Sequence, residues 1–172
     1  MEKKYRLLEN DTITINGRTL YRIEALRDFA DVLKGDKGGY VESEDNLSHV
    51  GNCWVSASAV VYGNAVVCAS AVVCGSARVS GNAEVYGSAE VCGSAEVSGT
   101  ADYYVGKNVW SSGRYFTYTR SNKMWKVGCF YGTGEELIEK AYKDSEVSGR
   151  EYERVVEYVE AMYADLEKDK SK

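Results

Sequence analysis

A unit of six residues repeats without interruption from Cys53 to Thr100. Written in sixes, this segment reads CWVSAS, AVVYGN, AVVCAS, AVVCGS, ARVSGN, AEVYGS, AEVCGS and AEVSGT. Val occupies the third position of all eight units, and Ala occupies the first position of seven. Alternation sends Ala and Val to one face of a short strand, and the following Gly-Asn, Gly-Ser or Gly-Thr makes the corner. Since one unit cannot bury its apolar face alone, the units must stack into a solenoid.

This repeat resembles the hexapeptide-repeat family, whose fold is a left-handed parallel β-helix with three units in each triangular coil of 18 residues. The resemblance implies that residues 18 apart are stacked neighbours, so that Glu84, Glu90 and Glu96 lie on three different walls. One outward column then contains Val60, Arg78 and Glu96. We interpret the recurring glutamates as a solvated flank rather than as an acidic site, because no third ligand converges on any pair of them.

The early coils carry apolar residues at outward positions, where the later coils carry charges. These residues are Trp54, Val60, Val66 and Val72. An apolar strip of this size is usually covered by something. The chain's own terminal segments or another subunit would serve, and the sequence leaves both possibilities open. Proteins with this coil are commonly homotrimers, so the resemblance implies a homo-oligomer.

The N-terminal segment has the pattern of a small β cap. Asn16-Gly17 lies between two alternating runs, which predicts a β-hairpin. The following segment places Phe29, Val32 and Leu33 on a short helical turn before the chain enters the coil through Gly38-Gly39.

The C-terminal segment predicts a second hairpin and two helices. Residues 115–120 and 124–130 alternate around the turn at residues 121–123. Thr133 and Glu136 have capping-box spacing at the start of the first helix, and Ser148 and Glu151 have it at the start of a longer one. The apolar stripe of the longer helix comprises Tyr152, Val155, Val156, Val159, Met162, Tyr163 and Leu166.

These patterns predict a mainly β chain: a left-handed parallel β-helix with an N-terminal hairpin cap, a C-terminal hairpin and two α-helices. We expect the cap over residues 1–38, the solenoid over 39–112 and the C-terminal hairpin and helices over 113–172. The solenoid is expected to continue downstream of the regular units, because Ala101, Tyr103 and Val109 keep the six-residue phase.

Composition narrows the classes of function and location. The formal net charge of -5 argues against binding extended nucleic acid. The five cysteines form no CxxC pair, and we interpret them as free thiols of a cytoplasmic protein, including Cys74 and Cys92, which neighbour each other on successive coils. No segment is apolar for long enough to span a membrane.

The segment from Tyr103 to Gly134 contains five cations, nine aromatic residues and no carboxylate, in a chain with 26 acidic residues. Cations attract anions, aromatic faces stack on flat groups, and the amides of a helix beginning at Thr133 offer an anion site. The predicted ligand-binding residues are Trp110, Arg114, Tyr118, Arg120, Lys123, Trp125, Lys126, Thr133 and Gly134. Alternatively, the aromatic residues form the core of the C-terminal cap and the cations form its solvent side.

The residue types and motifs of the sequence give little support for a catalytic function. Many acyltransferases share the coil architecture and need a histidine base. The only histidine, His49, precedes the regular repeats in an inward phase, which is typical of a structural residue. No nucleophile elbow, phosphate-binding loop or zinc-ligand spacing is present, so we predict no metal, no cofactor and no enzymatic activity.

Several segments are similar to hexapeptide-repeat proteins of bacteriophages and prophages, namely GRTLYRIEALRDF, KGGYVESEDNLS, GNCWV and MWKVGCFYGTGEELI. This resemblance implies a small accessory protein in the host bacterial cytoplasm. The hypothesis is a non-catalytic, oligomeric β-helix that binds an anionic small molecule or a host protein, either sequestering a nucleotide-like signalling molecule or inhibiting a host defence protein. The alternatives are a hexapeptide-repeat acyltransferase and a structural element of the virion or its assembly.

Overall fold

A computed structural model describes residues 2–171 of the chain. It opens with an antiparallel hairpin of β1 (Tyr5–Ile15) and β2 (Arg18–Ala25), followed by β3 (Lys37–Val41) and a short 3-10 helix, Glu44–Asn46. The turn residues Asn16 and Gly17 both have positive φ, as a two-residue hairpin requires, so the predicted hairpin is confirmed. The predicted helical turn at Phe29 is wrong, because Phe29 and Val32 instead form an antiparallel bridge.

A parallel β-solenoid follows, as the six-residue repeat predicts. Its strands are two residues long: β4 (Trp54–Val55), β5 (Val60–Val61), β6 (Val66–Val67), β7 (Val72–Val73), β8 (Arg78–Val79), β9 (Glu84–Val85), β10 (Glu90–Val91) and β11 (Glu96–Val97). They form three walls, β3-β5-β8-β11, β4-β7-β10 and β6-β9. Val60 pairs with Arg78 and Arg78 with Glu96, which confirms the stacking interval of 18 residues.

The solenoid core consists of the first and third residues of each unit. From Ala59 to Ala95 every Ala and Val at these positions is fully buried. The fifth residue makes the corner in the left-handed region, with φ between 56° at Ala57 and 70° at Gly63. Gly is preferred there because it has no Cβ. Gly99 occupies the next fifth position, but its φ is -147°, and the solenoid ends there.

Outside the strand pairs themselves, the hydrogen bonds between coils run one way, from the N–H groups of one coil to the carbonyls of the next, as from Val60 N to Ala77 O at 2.9 Å. The first coil therefore lacks donors for some of its carbonyls, and the last coil lacks acceptors for some of its N–H groups. Lys4 Nζ donates to Cys53 O at 2.7 Å and to Gly51 O at 3.4 Å, and Asn46 Nδ2 donates to Gly63 O and Ala65 O.

The last coil has unpaired N–H groups, and the C-terminal segment supplies their acceptors. Glu90 N donates to Thr117 Oγ1 at 2.9 Å, and Glu96 N donates to Ser121 Oγ at 2.7 Å. Asp102 Oδ2 accepts from the backbone of Ser98. Both ends are thus closed by side chains of the chain itself, which keeps the coil edges from pairing with other strands.

The strand after the solenoid belongs to a second, antiparallel sheet. This sheet has the order β12 (Tyr103–Lys107), β13 (Tyr115–Thr119), β14 (Met124–Val127) and β15 (Phe130–Gly132). Ala101 lies in a second 3-10 helix, Thr100–Asp102, and the predicted continuation of the coil through Val109 is therefore wrong. Tyr103 and Val105 still pack on the last coil. The predicted hairpin of β13 and β14 is confirmed, and β15 is an additional strand.

Two helices complete the chain, α1 (Gly134–Asp144) and α2 (Glu146–Lys170). The predicted capping box of Thr133 and Glu136 is confirmed. The predicted N-cap of the second helix, Ser148, is wrong by three residues. The N-cap of α2 is Ser145, whose side chain accepts a hydrogen bond from Ser148 N. Tyr152, Val156, Val159 and Tyr163 of the predicted stripe are buried against the second sheet, whereas Leu166 is 44% exposed.

The N-terminal segment covers part of the apolar strip. Phe29 lies edge-on to Trp54, with ring centroids 5.4 Å apart, and Leu20 and Tyr40 pack on Val60. Both Trp54 and Val60 are buried, so the chain's own N-terminal segment covers these two positions. Val66 and Val72, on the later coils, remain half-buried.

One cysteine prediction is wrong. Cys74 and Cys92 form a disulfide between successive coils, while Cys53, Cys68 and Cys129 are free. In-register stacking brings the two Cα atoms to 4.5 Å, which is within the range that a disulfide spans. Since disulfides are typical of oxidising compartments, the cysteines no longer support a cytoplasmic location. No helix within residues 2–171 is both long and apolar enough to cross a bilayer.

Asp102 predicts a pH dependence of stability. Burial raises the pKa of Asp102, but hydrogen bonds from Ser98 and Gly99 and the charge of Arg120 outweigh it, so the pKa lies below its ordinary value of 3.8. The stabilisation is therefore complete above pH 3.8 and is lost as the pH falls through the lower native pKa. In urea unfolding, we expect Asp102→Asn to be less stable than the wild type at pH 7, with a difference that shrinks in acid.

The control for this prediction is Asp165→Asn, which removes an exposed carboxylate from α2. Its ion pair with Lys168 contributes at most about 1 kcal/mol. If the Asp102→Asn deficit were the same at pH 3 and pH 7, the carboxylate charge would not be what closes this end of the solenoid.

Candidate functional site

The second sheet and the two helices form a C-terminal module with its own core. Phe116, Tyr118, Trp125 and Tyr152 are buried in it, and Trp110 is packed against it. Trp125 has no exposed surface, and its Nε1 donates to Glu160 Oε1 at 3.0 Å. Of the predicted ligand-binding residues, Tyr118 and Trp125 therefore lie in a packed core and the half-buried Trp110 packs against it, as the alternative interpretation of the segment states.

The cations of the acid-free segment meet carboxylates from other parts of the chain. Arg120 lies between Asp102 Oδ1, at 3.9 Å, and Glu167 Oε1 of α2, at 3.6 Å. Lys126 Nζ is 3.2 Å from Glu90 Oε2 on the solenoid. The positive charge that is continuous in the sequence is thus partly neutralised in three dimensions. Lys123 is exposed at the β13–β14 turn.

The start of α1 is occupied by its own capping box. Thr133 N donates to Glu136 Oε2 at 2.8 Å, and Glu136 N donates to Thr133 Oγ1 at 3.3 Å. Gly134 packs so closely on α2 that a Cβ atom there would lie 2.4 Å from Glu160 Oε1. With Glu135 and Glu136 in the first turn, this helix start has no open position for an anion.

Among the described residues, two of the predicted cations border a cavity: Lys123, with Tyr118, borders one of about 240 Å³ that Glu160 and Glu167 also line, and Arg114 borders a larger one. This C-terminal cavity has a volume of about 410 Å³ and lies between the 108–114 loop, strands β14 and β15, helix α1 and the first turn of α2. The side chains of Val127, Phe130, Leu137 and Ala141 supply its apolar surface. Its polar lining includes Asn108, Ser111, Arg114, Lys140, Asp144, Ser148 and Tyr152.

Two cations of the C-terminal cavity differ from Arg120 and Lys126 in having no carboxylate partner. Within residues 2–171, neither Arg114 nor Lys140 forms an ion pair or a side-chain hydrogen bond. Asp144 follows Lys140 by four residues on α1, yet it is not paired with it. Arg114, Lys140 and Asp144 are all exposed, so the rim of the cavity carries two available positive charges and one negative charge.

A hydrogen-bond network fixes one wall of the C-terminal cavity. Asn108 is buried, and its Oδ1 accepts from Ser111 N at 2.9 Å. This orients Asn108 Nδ2 to donate to the Tyr152 hydroxyl at 3.1 Å. Burial raises the pKa of Tyr152, with a further contribution from Asp144, while Asn108 and Arg114 oppose the shift. Tyr152 is therefore a neutral phenol that keeps its proton at neutral pH.

Sequence reasoning identified Arg114 and missed the rest of the cavity. Lys140 and Asp144 have the spacing that places two side chains on one face of a helix, which is a common pattern in solvated helices. Tyr152 was assigned to the apolar stripe of α2. Only the docking of both helices on the sheet brings these side chains to the 108–114 loop, and no local motif signals it.

His49 lies at the opposite end of the solenoid from the C-terminal module. Its Nδ1 accepts from Lys4 N at 3.1 Å, its Nε2 is 3.4 Å from Glu44 Oε2, and its ring stacks on Tyr5 with centroids 4.3 Å apart. Both ring nitrogens thus face partners within the N-terminal cap. The described residues contain no cluster of three or more His, Cys, Asp or Glu side chains that could hold a metal ion.

Comparison with known proteins supports the hexapeptide-repeat solenoid but covers only part of the chain. No protein-family model matches the chain. One stretch is 35% identical over 69 residues to the uncharacterized acetyltransferase YdcK of Escherichia coli strain K12, a match that covers 36% of this chain. The match covers 21% of YdcK, so the chain spans only about a fifth of that relative. The chain thus has a hexapeptide-repeat β-solenoid fold, which an antiparallel sheet and two helices follow.

Proposed function

We propose that this protein is a non-catalytic binding protein, in which the solenoid is a scaffold and the C-terminal module binds a small anionic ligand. The C-terminal cavity is the observation on which this proposal depends. Arg114 and Lys140 line it without carboxylate partners, whereas Arg120 and Lys126 are neutralised by acids of the solenoid and of α2. An unpaired cation at the rim of a cavity with both polar and apolar walls favours an organic anion, since the anion forms an ion pair with the cation and its apolar part contacts the apolar wall.

The proposed biological setting is that of a phage-type accessory protein acting on a host component. The resemblance of the N-terminal and C-terminal segments to phage and prophage proteins supports it. In this setting, sequestering a nucleotide-like signalling molecule in the host cytoplasm needs a binding cavity and no catalytic base. Inhibition of a host defence protein would use the same module as a protein-binding surface.

The protein is further proposed to act as a homo-oligomer, with a trimer expected from the resemblance. Val66 and Val72 support this proposal. The N-terminal segment buries the outward residues Trp54 and Val60, whereas Val66 and Val72 stay half-buried and leave apolar surface that another subunit would cover. Sedimentation equilibrium of the purified protein measures the number of subunits directly.

The proposal predicts that the purified protein retains a small molecule from a bacterial extract through Arg114. Incubation with the extract, gel filtration, denaturation and mass spectrometry should yield an anionic compound from the wild type and much less from Arg114→Ala. Lys126→Ala is the matched control, because Lys126 belongs to the same acid-free segment but is paired with Glu90. Equal retention by Arg114→Ala and the wild type would place the ligand elsewhere.

An acyltransferase is the second candidate, favoured by the similarity of one stretch to the acetyltransferase YdcK. The same extract, supplemented with acetyl-coenzyme A, tests it. Consumption of acetyl-coenzyme A that is lost in His49→Ala, with unfolding unchanged, would favour the enzyme. The contacts of both ring nitrogens of His49 argue against this role, because a general base needs a free nitrogen facing its substrate.

A further inference from the structure

We propose that the C-terminal cavity takes a small organic anion with a flat apolar body, whose carboxylate or phosphoryl group lies between Arg114 and Lys140 and accepts a hydrogen bond from Tyr152. This inference rests on the proposed function and adds the chemical class of the ligand and the residue that selects it.

The hydroxyl of Tyr152 has a donor that the protein does not use. A phenol oxygen can accept hydrogen bonds and donates one. The amide of Asn108 must donate to this oxygen, since the backbone N–H of Ser111 already fixes which end of that amide is the acceptor. The proton of Tyr152 therefore points to another acceptor, and residues 2–171 supply none within hydrogen-bond distance. Tyr152 borders the C-terminal cavity, so a ligand bound there can supply that acceptor.

The charges of the C-terminal cavity indicate an anion rather than a neutral acceptor. Arg114 reaches the cavity from the loop before β13, and Lys140 reaches it from α1. Both the positive charge of Arg114 and the negative charge of Asp144 act on Tyr152, so these groups surround one site. A planar guanidinium binds the two oxygens of a carboxylate or phosphoryl group side by side. Asp144 remains as an acceptor for an N–H or O–H group of the ligand.

The apolar surface of the cavity sets the shape of the rest of the ligand. Phe130 presents an aromatic ring, and Val127, Leu137 and Ala141 present aliphatic surface. A volume of about 410 Å³ lies within the range of small-molecule sites. A flat ring system fills such a space and leaves its anionic substituent at the cations. An inorganic ion alone would leave the apolar surface unused.

Isothermal titration calorimetry with two pairs of probes tests the assignment. Each pair joins an anion to its neutral counterpart: adenosine 5′-monophosphate with adenosine, and indole-3-acetate with indole-3-ethanol. We expect at least one anion to bind at least tenfold more tightly than its neutral partner. Binding of only the phosphate or only the carboxylate probe identifies which anionic group the cavity takes.

Variants then locate the anion. Arg114→Ala, Lys140→Ala and Tyr152→Phe are each expected to weaken binding of the preferred anion about tenfold. Lys143→Ala should bind like the wild type, because Lys143 lies on α1 outside the cavity and is paired with Glu139. Since Tyr152→Phe alters the module core, Ser112→Trp provides a second test: Ser112 is exposed at the cavity, and an indole there should block entry.

The possible failures distinguish this inference from the proposed function. If neither anion binds better than its neutral partner, or if Tyr152→Phe and Ser112→Trp both bind like the wild type, the ligand class and its position are wrong. Retention of an extract compound through Arg114 would still leave the proposed function standing. If Arg114→Ala matches the wild type in both the extract experiment and the titrations, the cavity is not the binding site and both proposals fail.

Discussion

Replacing Lys4 by methionine is expected to lower the free energy of unfolding by about 3 kcal/mol. Lys4 has no exposed surface, and its Nζ donates to two carbonyls of the first coil that no strand pairs. Burial lowers the pKa of Lys4, and its contact with Cys53 opposes that shift. Methionine fills a similar volume but donates nothing, so the carbonyl of Cys53 would stay buried without this partner, and the exposed Gly51 would lose its weaker bond. Urea unfolding followed by circular dichroism measures the loss.

Lys3→Met is the matched control for this prediction. Lys3 is the preceding residue, and its side chain is 58% exposed and forms a surface ion pair with Glu44. Such pairs contribute at most about 1 kcal/mol. If the two variants were equally stable, the carbonyls at this end of the solenoid would not depend on Lys4, and the N-terminal cap would be held by its apolar contacts alone.

The repeat is the part of the fold that the sequence specifies most completely. Val at the third position of each unit predicts the strand, and Gly or Ala at the fifth position predicts the corner. The fifth residue has a left-handed backbone, which few residue types other than Gly adopt readily. Gly99 shows the limit of this reasoning. It continues the sequence pattern but has an extended backbone, since the following 3-10 helix places Asp102 where it accepts from Ser98 and Gly99.

The ends of the solenoid were less predictable than its middle. The hairpins and the first helix follow from local turn and cap patterns, and all three were predicted. The partners of the end coils are single polar side chains, such as Lys4, Asn46 and Thr117, which have no distinctive spacing in the sequence. Their role depends on the direction of the coil hydrogen bonds, and this is a property of the assembled fold.

The candidate site shows how charge in sequence and charge in space differ. The acid-free segment predicts a basic surface, yet Arg120 and Lys126 are paired with residues that lie far away along the chain. Arg114 keeps its charge available because its loop faces α1, where Lys140 adds a second cation. Local composition thus identified the C-terminal module and one of its cations. The arrangement of the cavity required the docking of α1 and α2.

The stacking of corners can be tested by a pair of glycine substitutions in equivalent backbone conformations. Gly51 has a φ of 75°, and a Cβ atom there would lie 2.4 Å from Ala69 O in the next coil. Gly87 has a φ of 67°, with nothing within 4 Å of the same position. Both substitutions to alanine strain the backbone by about 1–2 kcal/mol, as the protein already tolerates at Ala57 and Ala69.

We expect Gly51→Ala to destabilise the protein by about 3 kcal/mol or more, against about 1 kcal/mol for Gly87→Ala. The difference between them measures the contact between corners, because the backbone strain is common to both. The atom in the way at Gly51 belongs to the backbone of the neighbouring coil, so it moves only if the coil spacing opens. Urea unfolding of the two variants gives the comparison. Equal losses would mean that the corners set the turn geometry but not the distance between coils.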